Sequence, residues 1–166
     1  DLDDLRNKLR DDTILVSVVA VNSEIGILQP INEIKEIVKE HPKCFFHVDA
    51  TQAIGKIKLD ISDIDLVSFS AHKFFGIKGI GCLIKKDGIS LNPQIHGGKS
   101  TTNYRSGTPT VALIASLAKA LRLAYENIDS DYNHVLELNK YLKEKLQSYS
   151  EVRINSNDYS RIWGIE

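Results

Sequence analysis

The chain has 166 residues, a formal net charge of −1, and 42% hydrophobic and 26% charged residues. That balance fits one globular domain with a core of its own. It offers no basic field for nucleic acid or an anionic membrane, and no apolar stretch approaches the ~18 residues that span a bilayer.

Leucines at helical spacing make Leu2 to Arg10 a short amphipathic helix. Thr13 to Val21 is β-branched and almost wholly apolar, which suits a strand covered on both faces of a parallel sheet. A polar loop, Asn22 to Gln29, leads to Pro30, which opens a helix over Ile31 to Glu40. His41-Pro42 ends it. Cys44 to Val48 is a second buried strand that stops at Asp49. Thr51 to Ile54 is brief, and Ile57 and Leu59 alternate as in an edge strand within Gly55 to Asp60. Leu66 to Ser70 is a third strand and Gly79 to Lys85 a fourth, with a tight hairpin expected between them. Leu91 to Thr110 is a long loop rich in glycine, serine and threonine. Two helices are expected next, Val111 to Asn127 and Tyr132 to Ser148, then a strand over Glu151 to Asn155.

Strand, loop, helix, strand predicts an α/β fold, a mostly parallel sheet flanked by helices. In such sheets ligands gather beyond the carboxyl ends of the strands. Those ends carry Asn22, Asp49, Ser70, His72 and Lys73. Each has an ordinary reading. Lys73 and Lys78 can be solvated charges, Asp49 a turn or helix cap, His72 a structural histidine. Together they also suit pyridoxal 5'-phosphate. That cofactor needs a lysine amine for a Schiff base, a carboxylate to keep the ring nitrogen protonated, and donors for its phosphate. Cys44 and Cys82 sit in apolar runs and read as buried free thiols, with no metal-site spacing. With no signal peptide at its start, the chain is expected in the cytoplasm. It begins at Asp1 and has no methionine, so it reads as a piece of something longer.

Five motifs give the chain a family resemblance. They are Asn22-Ser-Glu-Ile-Gly-Ile-Leu-Gln-Pro, His47-Val-Asp-Ala-Thr-Gln, Ser68-Phe-Ser-Ala-His-Lys-Phe-Phe-Gly-Ile-Lys-Gly-Ile-Gly, His96-Gly-Gly and Arg105-Ser-Gly-Thr. In this order and spacing, from about Leu2 to Asn155, the chain resembles the cysteine desulfurases (NifS-like proteins). These lie within the class V aminotransferase group of fold-type I pyridoxal-phosphate enzymes. The resemblance implies that residues 1–127 form part of the large cofactor-binding domain, and 128–166 a linking helix and the start of a small domain. It implies that Lys73 forms the Schiff base and moves protons at the substrate α-carbon. Asp49 then pairs with the pyridine nitrogen, and Gln52 with the phenolic oxygen. Ser70 and His72 hold the phosphate, and Asn22 lies beside the ring and the substrate carboxylate. Thr108 reaches the phosphate in the partner subunit of a homodimer. The implied reaction removes sulfur from L-cysteine, giving alanine and a persulfide for a sulfur-acceptor protein, as in iron–sulfur cluster assembly.

Two departures stand beside the match. The family's Gln-Glu after the glycines is replaced in Gly97-Gly-Lys-Ser-Thr-Thr-Asn-Tyr-Arg105. The family's phosphate-gripping turn and ring-stacking residue fall before Asp1; its nucleophilic cysteine and carboxylate-binding arginine fall after Glu166. Alone, the chain is therefore expected to be inactive. Another class V activity, such as selenocysteine lyase or aminotransferase, or a non-catalytic remnant, also fits this pattern. Residues 158–166 match the family poorly.

Overall fold

The computed structural model describes residues 1–98 and 102–154. The elements run α1 (Leu2–Lys8), β1 (Leu15–Val19), α2 (Ile31–Lys39), β2 (Phe45–Asp49), β3 (Leu66–Ser70), a 3-10 turn (Ala71–Phe74), β4 (Gly81–Lys85) and α3 (Val111–Leu146). The sheet order is β1-β2-β3-β4. β1 and β3 each pair parallel with β2, and β4 pairs antiparallel with β3. The expected mostly parallel sheet with flanking helices is present.

The strands alternate in burial because successive side chains point to opposite faces. Val16, Phe46, Val48, Val67 and Phe69 are buried with Ile31, Ile34 and Val38 of α2. α2 has the spacing to do this, with apolar residues three and four apart along one stripe. The other face differs from expectation. Strands this apolar were expected to be covered on both sides, yet Leu15 is 48% and Val19 47% exposed. A polar ladder crosses that face. Ser17 Oγ lies 2.7 Å from His47 Nδ1, and His47 Nε2 lies 3.0 Å from Ser68 Oγ.

Four further expectations change. β3 and β4 are antiparallel neighbours, but the connection is a 3-10 turn and a glycine-rich loop rather than a tight hairpin. Lys73 therefore sits in a turn between strands, past the strand end. Ile57 and Leu59 pack against the core from a run of turns and form no edge strand. The two C-terminal helices are one helix of 36 residues. Its polar middle, Asn127 to Asp131, looks like a linker in sequence, but it contains no glycine or proline to stop a helix. Asn127 and Ser130 instead donate to the helix's own carbonyls, on Leu123 and Asn127. Lys58 ties Asp129 back to the body. The expected strand at Glu151 to Asn155 does not form over 151–154. Asn155, and the poorly matching residues 158–166, lie outside the described residues.

Candidate active site

The carboxyl ends of the parallel strands place most of the expected site residues on one edge. Val19 and Asp49 are register partners, as are Asp49 and Ser68. The Ala20 amide donates to the Asp49 carbonyl at 2.9 Å and the Ala50 amide to the Ser68 carbonyl at 2.8 Å. Chain continuity then brings Asn22, Asp49 and Ser70 to neighbouring strand ends. Asn22 has a local task there. Its Oδ1 accepts from the Glu24 and Ile25 amides at 2.9 and 3.0 Å, which shapes the exit loop.

Asp49 also holds its own turn. Its Oδ1 accepts from the Thr51 amide at 2.9 Å. Oδ2 has no hydrogen bond among the described residues. The following turn, residues 50–57, winds back on the Ala50 and Ala53 carbonyls and buries Gln52 at 7% exposure. Gly55 lets this turn close on the next one. Its φ is +77°, and a Cβ there would sit 2.8 Å from Phe74 Cβ.

Phe74 ends the 3-10 turn that bears His72 and Lys73. That turn is locked at both ends. The Ala71 amide donates to the Ile80 carbonyl at 3.1 Å, and the Gly76 amide to the Ala71 carbonyl at 2.9 Å. Phe75 takes a left-handed φ of 65° to close it. Buried Ala71 and Phe74 anchor the turn while His72 and Lys73 stay exposed. Among the described residues, Lys73 has no hydrogen-bond or ion-pair partner.

One residue was missed in the sequence. Lys56 Nζ donates to Gln52 Oε1 at 2.6 Å. The available signal was its i, i+4 spacing from Gln52 on a turn. Burial, and then the charge of Lys73, push the Lys56 amine below the usual lysine range. Lys73→Met removes the repelling charge, so Lys56 should keep its proton to higher pH. Acetic anhydride labelling across pH should show the Lys56 midpoint rising only part-way to the free-amine value, because burial remains. A midpoint that stays put would mean the two amines are uncoupled.

Thr108 is exposed in the loop before α3, with no hydrogen bond to the strand-end group. That loop folds on itself: the Ser106 amide donates to the Ile95 carbonyl at 3.1 Å. Lys78 is exposed. Both cysteines are free, and burial raises both thiols. Cys44 is buried at 8% exposure, whereas Cys82 is only half-buried. Iodoacetamide should therefore label Cys82 before Cys44, and both more slowly than free cysteine; faster labelling of Cys44 would contradict this packing. Among the described residues no His, Cys, Asp and Glu group could hold a metal ion.

The family model for aminotransferase class-V matches residues 1–163. The chain belongs to this family. As a class V aminotransferase chain it is 41% identical over 165 residues to "Cysteine desulfurase IscS" of Dictyoglomus turgidum. The match takes in 98% of this chain and 42% of that relative, so the chain spans well under half the relative's length. Among solved structures, a "NIFS-LIKE PROTEIN" superposes with a TM-score of 0.90 at 36% identity, over 97% of this chain and 45% of the other. A structure titled "SspA in complex with cysteine" superposes with a TM-score of 0.69 at 34% identity, over 80% and 42%. The class V match runs past Asn155, further than the motifs alone indicated.

No helix among the described residues is long and apolar enough to cross a membrane.

Proposed function

We propose that this chain carries the cofactor-binding part of a pyridoxal-phosphate cysteine desulfurase. The observation that carries the reading is the grouping of Asp49, Gln52 and Lys73 along one sheet edge, with Lys73 exposed on a locked turn and without a hydrogen-bond or ion-pair partner among the described residues. The donor chemistry fits the cofactor. An ammonium can only donate, so Lys56 occupies the oxygen of the Gln52 amide and leaves its NH2 as a donor. The phenolic oxygen of pyridoxal phosphate is an acceptor for it. Asp49 keeps Oδ2 for a protonated ring nitrogen, a charge-assisted hydrogen bond.

When bound, the cofactor supplies an electron sink for charge developing at the substrate α-carbon. Asp49 holds the proton at the ring nitrogen that makes this sink effective. Lys73 provides the amine for covalent attachment, and takes and returns the α-proton. Ser70 and His72 supply phosphate donors at the start of the 3-10 turn. Asn22, shaping the loop beyond β1, orients the ring and the substrate carboxylate. Thr108 stands on a separate loop, which supports a role across a homodimer, at the partner subunit's phosphate.

The substrate of this reading is L-cysteine, and the product sulfur passes through a thiol to an acceptor protein. Neither Cys44 nor Cys82 is assigned that thiol, since both sit in the sheet region with raised thiols. Two free thiols suit a reducing compartment such as the cytoplasm. Residues 1–127 are read as part of the large domain, and 128–166 as the link to a small one, with α3 common to both.

Cofactor trapping tests the reading. The chain is incubated with pyridoxal phosphate, reduced with borohydride, digested and mapped by mass spectrometry. Label confined to Lys73 supports it. Label scattered over surface lysines, or none, rejects an activated amine in this chain.

A further inference from the structure

Lys56 presents an unusual combination. It is half-buried, it donates to a buried amide at 2.6 Å, and among the described residues no carboxylate pairs with it. The charged group bearing on it is another cation, Lys73. Holding a cation in this way costs free energy on both counts. Lys39, by contrast, is paired with the carboxylates of Glu36 and Asp63. Lys56 is also placed deliberately by the backbone. Gly55, at φ +77°, allows its turn to approach Phe74 more closely than any side chain would permit. The turn that carries Lys56 is thereby pressed against the turn that carries Lys73.

An anion at this edge would relieve both costs. The ionised phenolic oxygen of pyridoxal phosphate is such an anion. Granted the cofactor reading of this edge, on which the idea rests, we propose that Lys56 is a positioning residue: it holds the Gln52 amide with its NH2 turned toward the ring oxygen and sets a fixed positive charge beside it. The amide then has one orientation. Reversed, it would set its own NH2 against an ammonium, two donors facing each other. Without Lys56 the amide is free to rotate, and the ring oxygen loses both an oriented donor and a nearby positive charge.

The test titrates wild type, Lys56→Met and Lys56→Arg with pyridoxal phosphate and follows the absorption band of the Lys73-bound cofactor against pH. Borohydride trapping runs alongside. Removing a nearby positive charge favours the protonated chromophore, so in Lys56→Met the pH midpoint should rise by on the order of half a unit or more. Cofactor binding should weaken roughly 3- to 10-fold. Lys56→Arg keeps a donor and a charge, and should bring both back toward wild type. Lys56→Gln serves if the methionine variant fails to fold. A melting temperature that falls while the midpoint stays fixed would assign Lys56 a structural role and overturn the proposal. A midpoint unchanged in Lys56→Met, with wild type labelled at Lys73, overturns this proposal alone. Wild type without label at Lys73 overturns the cofactor reading and this proposal with it.

Discussion

Replacing Lys73 with alanine should abolish the trapped label, because no other amine among the described residues has this setting. Lys78 is exposed on the loop that follows, and Lys56 is engaged with Gln52. On the proposed reading, the same change in a complete enzyme of this kind should slow turnover by roughly 10²–10⁴-fold through loss of the proton-transfer group alone. Loss of covalent attachment adds to that. The fold should tolerate the change, since Lys73 is exposed and bonds to no described residue. Near-equal melting temperatures for the two proteins, with the label gone from one, are the expected pair of results. Label persisting in Lys73→Ala would move the reactive amine elsewhere and undo the reading of the turn.

The largest effect on stability belongs to Phe46. It is 2% exposed in the middle of the sheet, among the largest fully buried side chains. Its backbone is pinned as well. The Phe46 amide donates to Asp65 Oδ2 at 2.8 Å, and its carbonyl accepts from the Asp65 amide at 3.1 Å. The strand can hardly collapse into the space an alanine leaves, so the cavity term should be felt in full. Phe46→Ala should cost about 3–5 kcal/mol in urea unfolding. That is a large share of the stability of a domain this size. A loss under 1 kcal/mol would mean that the core closes around the gap.

The strands and α2 were legible because burial leaves a period in the sequence. Leu66 to Ser70 alternates, and Ile31, Ile34 and Val38 repeat at helical spacing. The placement of Asn22, Asp49 and Ser70 at the strand ends was legible because each closes or follows an apolar strand run. What could not be read was closure between distant segments. The contact of Gly55 with Phe74 joins residues far apart in sequence, and nothing local marks it. Lys56 was hidden for the same reason, since its meaning depends on Lys73. α3 was misread because Asn127 to Asp131 resembles a linker, while its polar groups are satisfied inside the helix. The exposure of Leu15 and Val19 follows from what packs on the sheet, which the strand's own composition does not encode.

The 36 residues of α3 form a rod about 54 Å long. Its early residues Leu117, Ala120, Leu121 and Ala124 rest against the core, close to the turn that bears Lys73. Beyond Ile128 its side chains are largely exposed. Such a rod works as a lever. A tilt of about 5° about Ile128 sweeps the far end, roughly 27 Å away, through about 2–3 Å. The helix thus carries any small tilt of its packed end, beside the turn that bears Lys73, out to a displacement of ångströms at Leu146.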